Sequence, residues 1–286
     1  MSINPDLWPV LVTTFSLFLA VGFIAQLVDG AVGMAYGVIS TSVLLAFGVP
    51  PAQASATIHA AECFTTGASG ASHLLHKNVD WQLFFRLAPA GVVGGVLGAY
   101  LLTGFDPTFI KAVVIAYLGV LGVYMLTRAL RELKDEPPHL KHVVPIGVVG
   151  GFLDASGGGG WGPIVTSTLL GRGHTPRYVI GSVNSAEFVV TVAISLTFLI
   201  TLLTGRFELQ GGVIAGGAAL AGLIVGGLFA APLAGYVTKA APARYLLGAA
   251  SVLVICLSIW QGVQLWPRLL EYPVFRQMAD LTVLLR

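Results

Sequence analysis

Seven long apolar runs divide this chain, and they constrain its fold more than any other feature of the sequence. They cover residues 8–28, 52–75, 82–103, 107–130, 176–203, 209–236 and 243–266. A helix needs about 20 apolar residues to cross a bilayer, and each run reaches that length. Charged residues make up only 10% of the chain, whereas soluble domains carry about 25%. The sequence therefore predicts an all-α integral membrane protein that crosses the cell inner membrane several times.

Three shorter apolar runs do not reach the length of a span. They cover residues 34–47, 143–153 and 161–171. The last two have 11 residues each, which as helices extend about 16 Å, roughly half of the hydrocarbon thickness. These runs are predicted to be half-helices.

The chain contains two copies of one unit. When the sequence is shifted by 125 residues against itself, residues 22–66 align without gaps with residues 147–191, and 14 of the 45 pairs are identical. Shared apolar composition explains part of that number, but it does not explain the pairing of Asp29 with Asp154 or of Glu62 with Glu187. A duplicated membrane unit is therefore predicted.

The expected layout has a first membrane repeat at 1–130, a charged cytoplasmic linker at 131–142, a second repeat at 143–266 and an interfacial tail at 267–286. Each repeat consists of a broken half-helix hairpin followed by three transmembrane helices. Because three crossings are an odd number, the two repeats are expected to have inverted topology. The positive-inside rule agrees, since ten basic residues lie on the cytoplasmic side of this layout and five lie outside, including Lys111, Arg206 and Arg268. The run 8–28 is long enough to span alone, which leaves the position of the N-terminus open.

A glycine-rich stretch follows an aspartate in each copy. The stretches are DASGGGGWG at 154–162 and DGAVGMAYG at 29–37. At membrane depth a backbone can leave its helix only where protein or a water-filled cavity satisfies the freed N–H and C=O groups, and glycine allows the turn because it adopts positive φ. Broken helices at corresponding positions of two repeats are typical of the midplane site of transporters, where half-helix N-termini favour an anion. Close helix packing through small residues is the alternative.

Four acidic residues lie inside the predicted membrane segments, where a charge costs roughly 2.5–3.5 kcal/mol on insertion scales. Glu62 and Glu187 are expected to handle protons, because carboxylates that share a desolvated site hold at least one proton near neutral pH. The alternative is that each glutamate is neutral and joins neighbouring helices. Asp29 and Asp154 are expected either to cap neighbouring N–H groups or to bind a coupling ion.

Further residues are candidates for binding the substrate. Backbone N–H groups of both breaks are expected to cradle an oxyanion, and polar side chains of both copies are expected to complete its ligands. The candidates are Gly33, Tyr36, Gly37, Thr41, Ser42, His59, Gly158, Gly159, Gly160, Trp161, Gly162, Thr166, Ser167 and Asn184. Serine and threonine in membrane helices also bond to their own backbone, which is the structural alternative for the hydroxyls.

Several classes of function do not fit the sequence. A net charge of +2, with 15 lysines and arginines spread between apolar runs, does not predict nucleic-acid binding. The only two cysteines, Cys63 and Cys256, lie in apolar runs and predict neither a disulfide framework nor a thiolate metal site. The sequence has no Ser-His-Asp set, HExxH motif or nucleotide loop, so no enzyme activity, cofactor or resident metal is expected. The expected partners are a small anionic substrate and the lipid bilayer, and a homo-oligomer stays open.

Further motifs accompany the paired glycine-rich breaks and the duplicated layout, namely GWGPI and TSTLL within 160–170 and NSAE at 184–187. In these features the sequence resembles the TauE/SafE family of sulfite and organosulfonate exporters. The resemblance implies transport of small sulfur oxyanions or organosulfonates. The first copy departs from the family pattern, with Met34 where glycine is common and Val38 where the second copy has Pro163.

The expected function is therefore a secondary transporter that exports an anion such as sulfite, with protons as the candidate coupling ion. Export is preferred because an inside-negative potential favours outward movement of an anion by about 2.3 kcal/mol per charge per 100 mV. An anion channel and a divalent-cation carrier that uses the buried acids are the alternatives.

Overall fold

The protein is a bundle of membrane-spanning and half-length helices. The computed structural model describes residues 8–130, 142–170, 176–209, 212–233 and 243–270. These residues contain no strand, and six of their helices are long and apolar enough to cross a membrane. The all-α prediction is confirmed, and the chain is a multi-pass membrane protein.

The first half of the chain forms five helices. They are α1 (Trp8–Val32), α2 (Tyr36–Ala46), α3 (Pro51–Leu75), α4 (Trp81–Leu102) and α5 (Pro107–Leu130). Helix-start signals in the sequence explain two of the boundaries, because Pro51 opens α3, and Asp80 before α4 accepts bonds from the N–H groups of Gln82 and Leu83.

The second half of the chain repeats this order. It forms α6 (Val143–Gly157), a π-helical turn (Trp161–Thr166) that continues into α7 (Ser167–Leu170), α8 (Pro176–Leu203), α9 (Gly212–Ala230) with a 3₁₀ turn (Ala231–Leu233), and α10 (Ala243–Leu270). Pro163 lies inside the π-helical turn, where its missing N–H disfavours regular α-helical bonding. The half-helices that follow the breaks are α2 and residues 161–170. The predicted half-helix at 143–153 is α6, which has 15 residues and is also too short to rank with the six spans.

The two predicted breaks are confirmed at equivalent positions. Helix α1 ends at Val32 and α6 at Gly157, and the next helical segments begin at Tyr36 and Trp161. Both pairs differ by 125 residues, which is the repeat shift found in the sequence. Gly33 and Gly158 correspond to each other, and both have positive φ, 73° and 66°, a conformation that residues with a side chain rarely adopt.

Two helices differ from the expected spans. Helix α10 continues past 266 to Leu270 with Pro267 inside it, so the predicted tail at 267–286 begins within a helix. One missing N–H removes only one intrahelical bond, and the preceding part of α10 packs along α5. Residues 271–286 of the tail and residues 131–141 of the predicted linker lie outside the described part of the chain.

Helix α3 is the second difference, because it is long enough to span but too polar to rank with the six apolar helices. Its buried side chains include Gln53, Ser55, His59, Glu62 and Thr65. Buried polar groups are stable only where protein partners surround them. Helix α3 accordingly packs against α8 and α9.

Helix α5 contacts the C-terminal ends of both half-helices. The Lys111 ammonium donates to the carbonyl of Leu45 at 3.1 Å, and the Arg128 guanidinium donates to the carbonyl of Ser167 at 3.2 Å. Basic side chains stabilise the unpaired carbonyls at a helix C-terminus. Lys111 and Arg128 are 17 residues apart, about 26 Å along α5, so the half-helices end near opposite ends of α5.

Candidate functional site

The two breaks lie against each other at the centre of the bundle. A Cβ atom on Gly37 would lie 2.8 Å from the carbonyl oxygen of Gly158 and 2.9 Å from the Cα of Gly159. The hydroxyl of Thr41 donates a short hydrogen bond to the same Gly158 carbonyl. A Cβ atom on Gly162 would lie 2.8 Å from the Cα of Met34. The glycines therefore allow one broken helix to cross the other at backbone contact distance.

A small central cavity lies where the breaks cross. It is lined by both breaks and by α1, α3 and α8, with Asp29, Glu62, Asp154 and Glu187 in its wall. Its volume is about 20 Å³, and a single water needs about 10–15 Å³. The cavity therefore has room for a water molecule, and a sulfite-sized anion requires the breaks to move apart.

The two aspartates cap the helical segments that follow the breaks. Asp154 Oδ1 accepts hydrogen bonds from the N–H of Gly160 at 2.7 Å and from the N–H of Trp161 at 3.0 Å. Asp29 Oδ1 accepts a bond from the N–H of Tyr36 at 3.3 Å. In each copy the capped aromatic residue is seven positions after the aspartate. The acid beside each break thus satisfies N–H groups that the break leaves unpaired.

This capping changes the predicted anion cradle. The N–H groups of Gly160 and Trp161 donate to the Asp154 side chain, and the N–H of Gly158 donates to the Asp154 carbonyl at 2.7 Å. These three amides of the segment 158–162 were expected to face an oxyanion. In the structure the carboxylate of Asp154 occupies the positive end of the second half-helix instead.

His59 joins the first repeat to Asp154 of the second. Its Nε2 lies 3.2 Å from Asp154 Oδ2, and its Nδ1 lies 2.7 Å from the carbonyl oxygen of Ser55. The Ser55 hydroxyl donates to the carbonyl of Ala155 at 2.6 Å, so it has no hydrogen left for Nδ1. Because a carbonyl only accepts, Nδ1 carries a hydrogen. Nε2 and Oδ2 lie at hydrogen-bonding distance, so this pair links the two repeats.

Glu62 lies beside the same pair. Its Oε1 is 3.1 Å from the position of a Cβ on Gly37, and its side chain is buried. His59, Glu62 and Asp154 each bring one possible ligand atom within 4.8 Å of the others, a spacing that could hold a metal ion. Both oxygens of Asp154 already have partners, however, because Oδ1 accepts from Gly160 and Trp161 and Oδ2 contacts His59.

The structure brings ten of the predicted site residues to the central cavity. They are Asp29, Tyr36, Gly37, Glu62, Asp154, Gly159, Gly160, Gly162, Asn184 and Glu187. Asn184 also donates to the hydroxyl of Ser69 at 2.9 Å, and Tyr36 donates to the carbonyl of Leu223 at 3.1 Å.

The other eight predicted site residues lie outside the cavity wall. They are Gly33, Thr41, Ser42, His59, Gly158, Trp161, Thr166 and Ser167. The buried Trp161 indole donates to the carbonyl of Val183 at 3.2 Å, and Ser167 contacts the Met34 sulfur at 3.4 Å. These two side chains are placed to hold helices together. The hydroxyls of Ser42 and Thr166 are buried without a hydrogen-bond partner among the described residues.

Comparison with known proteins places the chain in a family. The model of the family named Sulfite exporter TauE/SafE matches residues 18–260. The chain belongs to the TauE/SafE family. The probable membrane transporter protein YtnM of Bacillus subtilis (strain 168) is 42% identical to it over 230 residues, which cover 78% of this chain and 74% of YtnM. No solved structure matches the chain significantly. The protein is therefore a membrane transporter of the TauE/SafE type.

Sequence reasoning missed several residues that line the cavity of this TauE/SafE protein. Thr65, Thr66 and Ser69 follow Glu62 by three, four and seven positions along α3, and Gln26 precedes Asp29 by three along α1. Residues three, four and seven apart lie on one helix face. A search of the positions that share a helix face with each buried acid would have identified all four residues.

Proposed function

We propose that this protein exports a small sulfur oxyanion or an organosulfonate, such as sulfite, through the central cavity between the two breaks. The observation that carries the proposal is the meeting of both breaks and both membrane-embedded glutamates at one cavity, in a chain of the TauE/SafE family. Broken helices that meet at one point are the usual construction of a transporter's substrate site.

The charges around the cavity favour proton-coupled binding of the anion. Four carboxyl groups and no lysine or arginine occur among the described residues that line it. The aspartates are balanced by capped N–H groups, and Asp154 also by His59. An ionised Glu62 or Glu187 would repel an anion, whereas a protonated carboxyl group donates a hydrogen bond to it. We therefore assign proton handling to Glu62 and Glu187.

Two observations support inverted repeats of the predicted kind. The half-helices end near opposite ends of α5, where Lys111 and Arg128 bind their carbonyls. The contacts between the two units are also symmetric. Helix α1 packs on α9, and the equivalent helices of the other units, α6 and α4, pack on each other. An inverted pair of units allows the site to open alternately to each side of the cell inner membrane.

Export is the proposed direction because of the membrane potential. A substrate that leaves with net negative charge gains about 2.3 kcal/mol per charge per 100 mV when the inside is negative. Sulfite has two negative charges, so a sulfite ion that crosses together with one proton still moves one net negative charge outwards.

Transport by purified protein in liposomes tests the proposal. Liposomes are loaded with radiolabelled sulfite or an organosulfonate, and efflux is followed with and without an imposed proton gradient. We expect saturable efflux that Glu62→Gln and Glu187→Gln change and that Glu208→Gln, a matched change at an exposed glutamate, does not. Absence of saturable flux for every sulfur anion, with folded protein, would refute the proposal.

A divalent-cation carrier is the second candidate, favoured by the spacing of His59, Glu62 and Asp154. Melting of the purified protein separates the two candidates. An anion transporter should be stabilised by sulfite and not by nickel or cobalt, and a cation carrier should show the opposite. An anion channel would instead give a conductance that does not saturate at low anion concentration.

A further inference from the structure

A second cavity, here called the outer cavity, lies where α2 ends. Its volume is about 190 Å³, and its wall combines the end of α2 with Lys111 of α5 and one side of α10. Helix α10 contributes Trp260, Gln261, Gln264 and Arg268. One water occupies about 30 Å³ in the liquid, so a small oxyanion with part of its hydration fits this space.

The outer cavity has the charge that the central cavity lacks. Lys111 and Arg268 are both in its wall, and no aspartate or glutamate is among the described residues there. Lys111 donates to the carbonyl of Leu45 at 3.1 Å, and an ammonium group has three hydrogens to donate. Two cations in one partly enclosed space attract an anion to it. Amide groups of Gln261 and Gln264 add neutral donors.

Buried polar atoms connect the outer cavity to the breaks. The Gln261 side-chain amide donates to the carbonyl of Ser42 at 3.2 Å. Gln261 Oε1 and the hydroxyls of Ser42 and Ser258 are buried without a partner among the described residues. Thr41, next to Ser42, bonds to Gly158 of the opposite break. Unpaired buried polar atoms are costly, and these three lie on α2 and α10, two of the helices that line the outer cavity.

We propose that Lys111, Arg268 and the amides of Gln261 and Gln264 form a second anion site, which holds the transported oxyanion at the end of α2. The identity of the anion rests on the proposed function, whereas the existence of the site does not. The site attracts the anion on one side of the membrane and passes it along Ser42 to or from the central cavity.

Fluorescence quenching by iodide tests the site without requiring transport. Trp260 lies in the wall, so the iodide-sensitive part of the emission that disappears in Trp260→Phe reports anions in the outer cavity. Lys111→Gln with Arg268→Gln should lower that quenching constant by about fivefold for each charge removed, the effect of one charge at about 4 Å in water. Quenching by neutral acrylamide should stay unchanged. Arg268→Lys should keep the iodide effect.

A matched control is Arg206→Gln, because Arg206 lies among the residues assigned to the same side and its guanidinium contacts Thr103 and Tyr100 instead. It should leave iodide quenching of Trp260 unchanged. Equal quenching in the wild type and in the double variant would overturn the proposal, and so would an equal loss of quenching in Arg206→Gln.

Sulfite and the phosphate of a lipid headgroup are both oxyanions, which this site binds, and two experiments distinguish them. In vesicles of phosphatidylcholine, sulfite should compete with iodide. In an exchange assay, the double variant should raise the half-saturating concentration of sulfite added on the side to which the outer cavity opens, while keeping the maximal rate. If phosphatidylglycerol suppresses the quenching and sulfite does not, a lipid occupies the site and the proposed role is overturned. If sulfite competes with iodide but no sulfite flux exists, the anion site stands and the proposed function fails.

Discussion

Replacing Asp154 by alanine should destabilise the protein far more than the same change at Asp29, although the two residues are equivalent in the repeat. Asp154 accepts two short backbone bonds and contacts His59, and its side chain is 2% exposed. Removing one partner from a buried charged network costs about 3–5 kcal/mol. Asp29 is half-buried and accepts a single 3.3 Å bond from Tyr36, which corresponds to about 1 kcal/mol.

Thermal unfolding of purified protein in detergent measures this difference. At about 2–4 °C for each kcal/mol, Asp154→Ala should lower Tm by about 10 °C and Asp29→Ala by about 3 °C. Asp154→Asn should be intermediate, because an amide oxygen still accepts the two N–H bonds but loses its charge. Asp80→Ala, which removes an ordinary cap on α4, should cost about 1 kcal/mol. Equal losses of Tm in Asp154→Ala and Asp29→Ala would refute the conclusion that Asp154 stabilises the two breaks more than Asp29 does.

Three further changes probe the crossing and its protons. Gly159→Leu should abolish transport and lower Tm, because any side chain there meets the backbone of Gly37 and Val38. The control Gly262→Leu places its side chain in open space and should change neither quantity. Normal flux in Gly159→Leu would contradict the close contact between the two breaks. Efflux of an organosulfonate, which stays ionised, should fall as pH rises, because anion binding needs protonated glutamates. Glu187→Gln should make efflux depend less on pH. An unchanged dependence of efflux on pH in this variant would count against proton coupling through Glu187. His59→Ala should lower Tm, because it removes the contact between His59 Nε2 and Asp154 Oδ2, whereas His59→Gln, whose amide still donates to Asp154, should lower Tm less. Equal losses of Tm in the two variants, measured by thermal melting, would show that this contact does not stabilise the protein.

The helices and breaks could be predicted from the sequence because local patterns determine them. Apolar runs of sufficient length gave most of the spans, and the 125-residue repeat located both breaks. The aspartates beside the glycines were correctly considered as caps, since an acid before a helix start satisfies unpaired N–H groups whatever the fold. The polarity of α3 was visible in the sequence, although length alone was used to assign it.

The contacts between repeats could not be predicted, because they depend on how the two units pack. Nothing in the sequence places His59 against Asp154, 95 positions away. The same holds for Thr41 and Gly158, which join the two breaks. Trp161 looked like a ligand because it follows the glycines, but its indole points into the packing beside Val183. Whether a side chain lines a cavity or packs in the core depends on the neighbouring helices, and only the tertiary structure shows which helices those are.

Protection of a cavity residue by substrate tests the central claim that the anion occupies the space between the two breaks. Ser69 lines the central cavity, and Ser72, one turn further along α3, is exposed. In a background with Cys63 and Cys256 replaced, Ser69→Cys and Ser72→Cys are labelled by an anionic thiol reagent with and without sulfite. Sulfite should slow labelling of Ser69→Cys at the concentrations that saturate efflux and leave Ser72→Cys unchanged. Unaltered labelling of Ser69→Cys, in a variant whose efflux still saturates, would show that the anion passes elsewhere.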